Sequence, residues 1–239
     1  MVAMATHALI LRTAERLFAT HGIAAVSLRR ISASAGQRNT AAAQYHFKDK
    51  DSLLREIARS RLATIDARRA ALLTAALDGG VTGAEPPRVW PLTEALIRPL
   101  AEQAAEPASH YVRFLDRLFA HVGAEVGALA EVGGFHEAFA TARVVVDRLP
   151  QLAEPQATTR ARWAGQLIIS GLADLEQAYA DAASSPGGRP PLEPSPAADP
   201  EAYTVGLIDA VTGLLTAPLT RPTPNAPTTL TAPTAPART

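Results

Sequence analysis

The chain of 239 residues contains no cysteine. It can therefore form no disulfide, offer no thiolate to a metal and use no cysteine nucleophile. Aromatic residues make up 5% of it and charged residues 19%, both modest shares. No apolar run approaches the ~18 residues of a membrane span. The N-terminus also lacks the basic start and apolar block of a secretory signal, so a cytoplasmic protein without membrane contact is expected. Runs of β-branched residues are scarce, whereas Ala and Leu dominate. With 47% hydrophobic residues, this predicts an all-α protein with a real core. Enzyme signatures are missing as well. There is no phosphate-cradling glycine loop, no nucleophile elbow and no pair of histidines four apart. His136-Glu137 lacks the second His of such a pair. His110 and His121 share a helix face but have no carboxylate partner. No catalytic residue, metal site or cofactor is expected.

The most informative stretch that is present is SLRRISASAGQRNTAAAQYHF, residues 27–47. Ser27 suits an N-cap, its hydroxyl accepting from a free amide two or three residues on. Leu28, Ile31 and Ala35 recur at helical spacing. Gly36 follows where the chain must turn sharply. Residues 40–46 can form a second short helix, because three consecutive alanines favour it, and Phe47 plugs its end into the core. Arg29, Arg30 and Arg38 flank the unit. Two short helices across a Gly-containing turn make a helix-turn-helix, whose second helix enters the DNA major groove. The formal net charge of zero hides an asymmetry. Residues 1–70 carry 12 Lys and Arg against 5 Asp and Glu, and the remainder carries 11 against 18. A basic module on an acidic body suits a nucleic-acid reader; a solvated helix surface is the bland alternative.

Residues 5–54 resemble the TetR family of bacterial repressors. The resemblance rests on Ala14, Leu17-Phe18, Gly22, Ala35-Gly36, Tyr45-His46-Phe47 and Lys50-Asp51-Ser52-Leu53. The chain departs from the family pattern by one extra residue around Gln37-Arg38-Asn39, and by Gln44 where a Tyr is common. The resemblance implies a three-helix head that reads double-stranded DNA, a helical body that holds a small-molecule effector, and a homodimer on a palindromic operator. The expected DNA-binding residues are Ser27, Arg29, Arg38, Thr40, Gln44, Tyr45, His46 and Lys50. Arg29 matches a position that can reach a base, with a phosphate contact or a plain surface charge as the alternative. Thr40 and Gln44 share a face of the recognition helix, and Gln can pair with adenine. Tyr45 and His46 match an aromatic pair that touches phosphates; Tyr45 can instead pack on the first helix. Lys50 would meet a phosphate together with the helix N-terminus beside it.

Further along, periodicity and helix-stop signals predict helices over residues 6–21, 49–76, 91–105, 108–122, 135–148, 155–183 and 201–215. In the first, Ile10, Ala14, Leu17, Phe18 and His21 share a face. Residues 123–134 read as a short helix or a loop. The proline-rich segment 186–200 reads as a linker. These readings give a head over residues 1–48, an effector-binding and dimerisation body over 49–217, and a disordered tail over 218–239. Trp90, Tyr111, Phe119, Phe135, His136, Phe139 and Trp163 are the candidates to line a cavity in the body; any one of them taken singly reads more readily as core. Ala164, Leu167, Ile168, Gly171, Leu172 and Leu175 recur at heptad-like spacing and are the candidate dimer stripe, with an intrachain core face as the alternative. The rival to a ligand-responsive regulator is a helical small-molecule-binding protein or enzyme whose basic N-terminus is incidental. The operator, the effector and the sign of regulation are not written in the sequence.

Overall fold

The computed structural model describes residues 2–36, 46–78, 89–123, 134–149, 155–184 and 195–218. All regular structure within them is helical. In α1 (Val2–His21), Ile10, Ala14, Leu17 and Phe18 are buried along one face. His21 is exposed and does not continue that stripe. Gly22, at φ +80°, closes the helix there, its N–H reaching the Phe18 carbonyl at 2.9 Å. α2 (Leu28–Ser34) starts on Ser27, whose Oγ accepts from the Arg30 N–H at 3.2 Å. The chain turns out of it at Gly36, φ +66°. A side chain there would be forced into the left-handed region, so the sequence supplies the residue without one. The predicted second helix, residues 40–46, lies outside the described residues except for His46, which is helical.

α3 (Lys50–Arg59) opens with a capping box. Asp49 Oδ1 accepts from the Ser52 N–H at 2.7 Å, and Ser52 Oγ accepts from the Asp49 N–H at 3.2 Å. Leu53, Leu54 and Ile57 then pack with Phe18, Ile31 and Phe47 in one apolar cluster. Instead of the single helix expected over residues 49–76, the chain forms α3 and a separate α4 (Leu62–Asp78). The break is at Ser60. Its N–H and its Oγ both reach the Ile57 carbonyl, at 3.1 and 2.7 Å, which tightens the last turn to i−3 bonding. No apolar periodicity could report this, because Ile57 and Ile65 stay on the buried side across the break.

The body adds α5 (Val89–Ala104), α6 (Tyr111–Val122), α7 (His136–Asp147), α8 (Gln156–Ser184) and α9 (Pro200–Thr216). α5 packs on α4, α7, α8 and α9, while α6 lies between α1 and α8. Tyr111, Phe114, Leu115 and Leu118 of α6 belong to the same apolar cluster as the head. A second cluster joins α5, α8 and α9 through Leu92, Ile97, Leu172, Leu175, Ile208 and Val211. α6 starts at Tyr111, three residues later than expected. Ala108 is left-handed at φ 58°, which interrupts any helix running through it. The first free amides of α6 are met from another helix. Glu176 on α8 accepts from the N–H groups of Val112 and Arg113 at 3.1 and 3.0 Å, from Ser109 Oγ at 2.7 Å and from Arg113 Nε at 3.2 Å. The carboxylate thus caps a helix N-terminus, where negative charge is favoured. Most of segment 123–134, much of the proline-rich linker and residues 219–239 of the expected tail lie outside the described residues.

Candidate functional site

The head presents its charge outward. Arg29 and Arg30 on α2 are exposed, as is Lys48 beyond the buried Phe47. His7 of α1 stacks on Phe47, centroids 4.9 Å apart, and meets the His46 ring edge-on at 5.7 Å. The end of the reading segment is therefore pinned to the first helix through aromatic contacts. The Lys50 ammonium turns inward. It donates to the Ile23 carbonyl and sits 5.6 Å from the Phe18 ring centroid. Loss of water around it holds its pKa below the usual lysine range. Ser27 is occupied as the cap of α2. Arg38, Thr40, Gln44 and Tyr45 fall outside the described residues.

Head and body meet at a polar node. Arg61, just after the α3–α4 break, donates through Nη1 and Nη2 to the buried Glu15 of α1 at 2.6 and 3.2 Å. The same carboxylate accepts from the His110 N–H at 3.3 Å, immediately before α6. The Arg61 guanidinium lies over the Tyr111 ring at 4.9 Å. Tyr111 OH donates to the Ala58 carbonyl in the last turn of α3, one of the carbonyls a helix end leaves free. Burial pushes the Tyr111 phenol well above its usual pKa, so it remains a donor.

Behind Tyr111 lies a cavity of about 1200 Å³, walled by α4, α5, α6, α7 and α8 with Val211 and Leu215 of α9. Its surface is mainly apolar, with Ile65, Leu100, Leu115, Phe119, Phe135 and Phe139 among its lining. Phe119 and Phe135 meet edge to face at 5.7 Å. Charge enters the wall at Arg69, Asp116, Arg143 and Arg162. Such a space exceeds the ~300–1,000 Å³ of ordinary small-molecule sites, so it has room for a ligand of extended or multi-ring shape.

Residues 10–57 match the family model for bacterial regulatory proteins of the tetR family. Residues 10–57 are a DNA-binding head of the TetR type. The match ends within α3, four residues before Arg61. No curated protein matches the chain. Among the described residues, no helix is long and apolar enough to cross a membrane.

Of the aromatic residues expected at a cavity, Tyr111, Phe119, Phe135 and Phe139 line this one. Trp90, His136 and Trp163 do not. Trp90 Nε1 donates to Asp209 at 2.7 Å between α5 and α9, and His136 is exposed at the start of α7. Trp163 is 48% exposed. The heptad-like stripe divides in a similar way. Ala164, Ile168, Leu172 and Leu175 are buried inside the protomer. A Cβ on Gly171 would come within 3.1 Å of Leu207, so that glycine serves the close packing of α8 on α9. Leu167 alone of the six points outward, 39% exposed. Sequence reading singled out none of Glu15, Arg61, Arg69 or Glu176. Three of them carried a usable signal. Glu15, Arg69 and Glu176 each interrupt an apolar stripe at four-residue spacing from Leu11, Ile65 and Leu172, and a charge on a core face requires a partner.

Proposed function

We propose that this regulator is a ligand-responsive repressor. Two copies hold a palindromic operator, and a small, largely apolar effector in the body cavity loosens that hold. The observation that carries the reading is the position of Tyr111, which lines the cavity and also donates to the Ala58 carbonyl in the last turn of α3. A ligand that displaces Tyr111 acts directly on the last turn of α3 and, through Arg61 and Glu15, on α1. In a homodimer the two recognition helices must reach major grooves about 34–36 Å apart. A shift of a few ångströms at each head then mis-sets both.

Arg29 together with Arg38, Thr40 and Gln44 would supply the base-facing contacts. Ser27, Tyr45, His46 and Lys50 would supply the backbone-facing ones, with the Lys50 ammonium leaving Ile23 for a phosphate. The second copy would sit on the outward face of α8 and α9, where Trp163 and Leu167 are the large exposed apolar residues. Reciprocal linkage tests the reading. A compound that occupies the cavity and lowers operator affinity by some factor must bind the operator complex more weakly by the same factor. Cavity binding with an unchanged dissociation constant in the presence of operator would contradict it.

A further inference from the structure

Arg69 is 3% exposed, lines the cavity and is incompletely bonded. Its Nη1 donates to Asp66 one turn earlier on α4, while its Nε–H is buried without a hydrogen-bond partner among the described residues. Buried polar groups are nearly always bonded, and an unmet donor on a charged group is among the more costly exceptions. Two other buried side-chain atoms also lack partners among the described residues, on Arg148 and Thr212. Neither of those residues lines the cavity. Among the described residues nothing accepts from that Nε–H, and Ile65, Leu96 and Leu100 of the cavity wall are apolar.

From this we infer that the effector is an apolar molecule carrying one uncharged carbonyl oxygen, of the ketone or ester class, which accepts from Arg69 Nε. The inference rests on the cavity being the effector site. The charge around Arg69 selects the uncharged acceptor. The guanidinium is already neutralised by Asp66, and Glu137 lies close enough to act on both groups. A carboxylate in the same place would be a further anion beside these two and would be buried against them. An uncharged carbonyl completes the guanidinium's bonding without adding charge. The apolar part of the lining then holds the rest of the molecule.

The test uses the full chain, with Nile red as an uncharged reporter and three competitors of equal chain length: undecane, 2-undecanone and undecanoate. The wild-type protein should favour 2-undecanone at least about tenfold over undecane, one good hydrogen bond to a charged donor, and should rank undecanoate below the ketone. Arg69→Met should erase the ketone's advantage and leave undecane within about twofold. In the wild-type protein, the C=O stretch of bound, isotope-labelled 2-undecanone should move to lower frequency. That readout needs no variant, so the inference stays testable even if Arg69→Met fails to fold. Equal binding of ketone and alkane, an unshifted carbonyl, or a ketone preference that survives Arg69→Met would each overturn the inference. Undecanoate binding tightest would overturn the neutral class. If Nile red does not bind, or nothing displaces it, the cavity reading itself fails, which is a separate result.

Discussion

Glu15→Gln is the sharpest perturbation of the junction between head and body. The substitution keeps the shape of the side chain and removes its charge. Glu15 is buried and takes two bonds from Arg61 and one from the His110 N–H. Hydrogen bonds involving a charged group contribute ~1.5–3 kcal/mol. Removing one partner of a fully buried pair costs ~3–5 kcal/mol, because the other charge is stranded. Arg61 is 26% exposed, so water recovers part of that loss. The expected cost is therefore about 2–3 kcal/mol, measured as a lower urea midpoint at unchanged slope. A double-mutant cycle with Arg61→Met separates the pair from other effects. Once Arg61 is gone, Glu15→Gln should cost much less, leaving a coupling of about 1.5–2 kcal/mol. If Glu15→Gln costs under ~0.5 kcal/mol, or the two substitutions simply add, the node does not join head to body as described.

Other substitutions probe separate parts of the fold and site. Glu176→Ala should cost at least about 3 kcal/mol in urea melts, since the start of α6 loses its cap and Arg113 loses its partner; a loss under 1 kcal/mol would mean α6 is held otherwise. Leu172→Asp should unfold the protomer, because Leu172 is fully buried. Leu167→Asp should instead leave the melting of the protomer intact and shift light scattering from dimer to monomer; an unperturbed dimer contradicts the assigned face. Asp49 has its pKa held below 3.8, first by the Ser52 backbone N–H and then by the Ser52 side chain. Its stabilising contribution is therefore full above that value and fades as pH falls through the lower, folded-state value. Asp49→Asn, which still caps, should remove this part of the acid dependence from melting curves taken between neutral pH and pH 2. On DNA, Arg29→Ala should relax sequence choice by ~1–3 kcal/mol at one base position. Lys50→Ala should instead weaken all sequences alike and lower the salt slope by ~1; altered specificity with an intact slope would contradict the phosphate role.

Much of the head is legible in the sequence because its determinants are local. Ser27, Gly22, Gly36 and Asp49 act within three or four residues of themselves, and each does in the structure what its chemistry suggests. Helix boundaries fail where the deciding partner is distant. The start of α6 depends on Glu176, more than sixty residues away, and the α3–α4 break sits beside Arg61, which is drawn to Glu15. Periodicity on α8 finds an apolar stripe in Ala164, Ile168, Leu172 and Leu175, but it cannot say whether the stripe faces α5 and α9 or a second copy. The structure fills that face from within the protomer. Aromatic size is likewise a partial guide to the cavity. It finds Tyr111, Phe119, Phe135 and Phe139 but also brings in Trp163, which lies on the outer face of α8 away from the cavity. Arg69 is masked by the adjacent Arg68: an Arg-Arg pair in a helix reads as surface charge, although only Arg69 falls four residues after Ile65 on the buried side.

Selection from random-sequence duplex DNA by the purified full chain tests the central claim most directly. The account predicts enrichment of an inverted repeat whose half-sites lie about one helical turn apart, centre to centre, bound by two copies of the chain. It also predicts that the affinity for the enriched site falls steeply with salt, as phosphate contacts require. Salt-sensitive binding that enriches no sequence would leave only a basic surface. No binding at all would contradict the regulator reading.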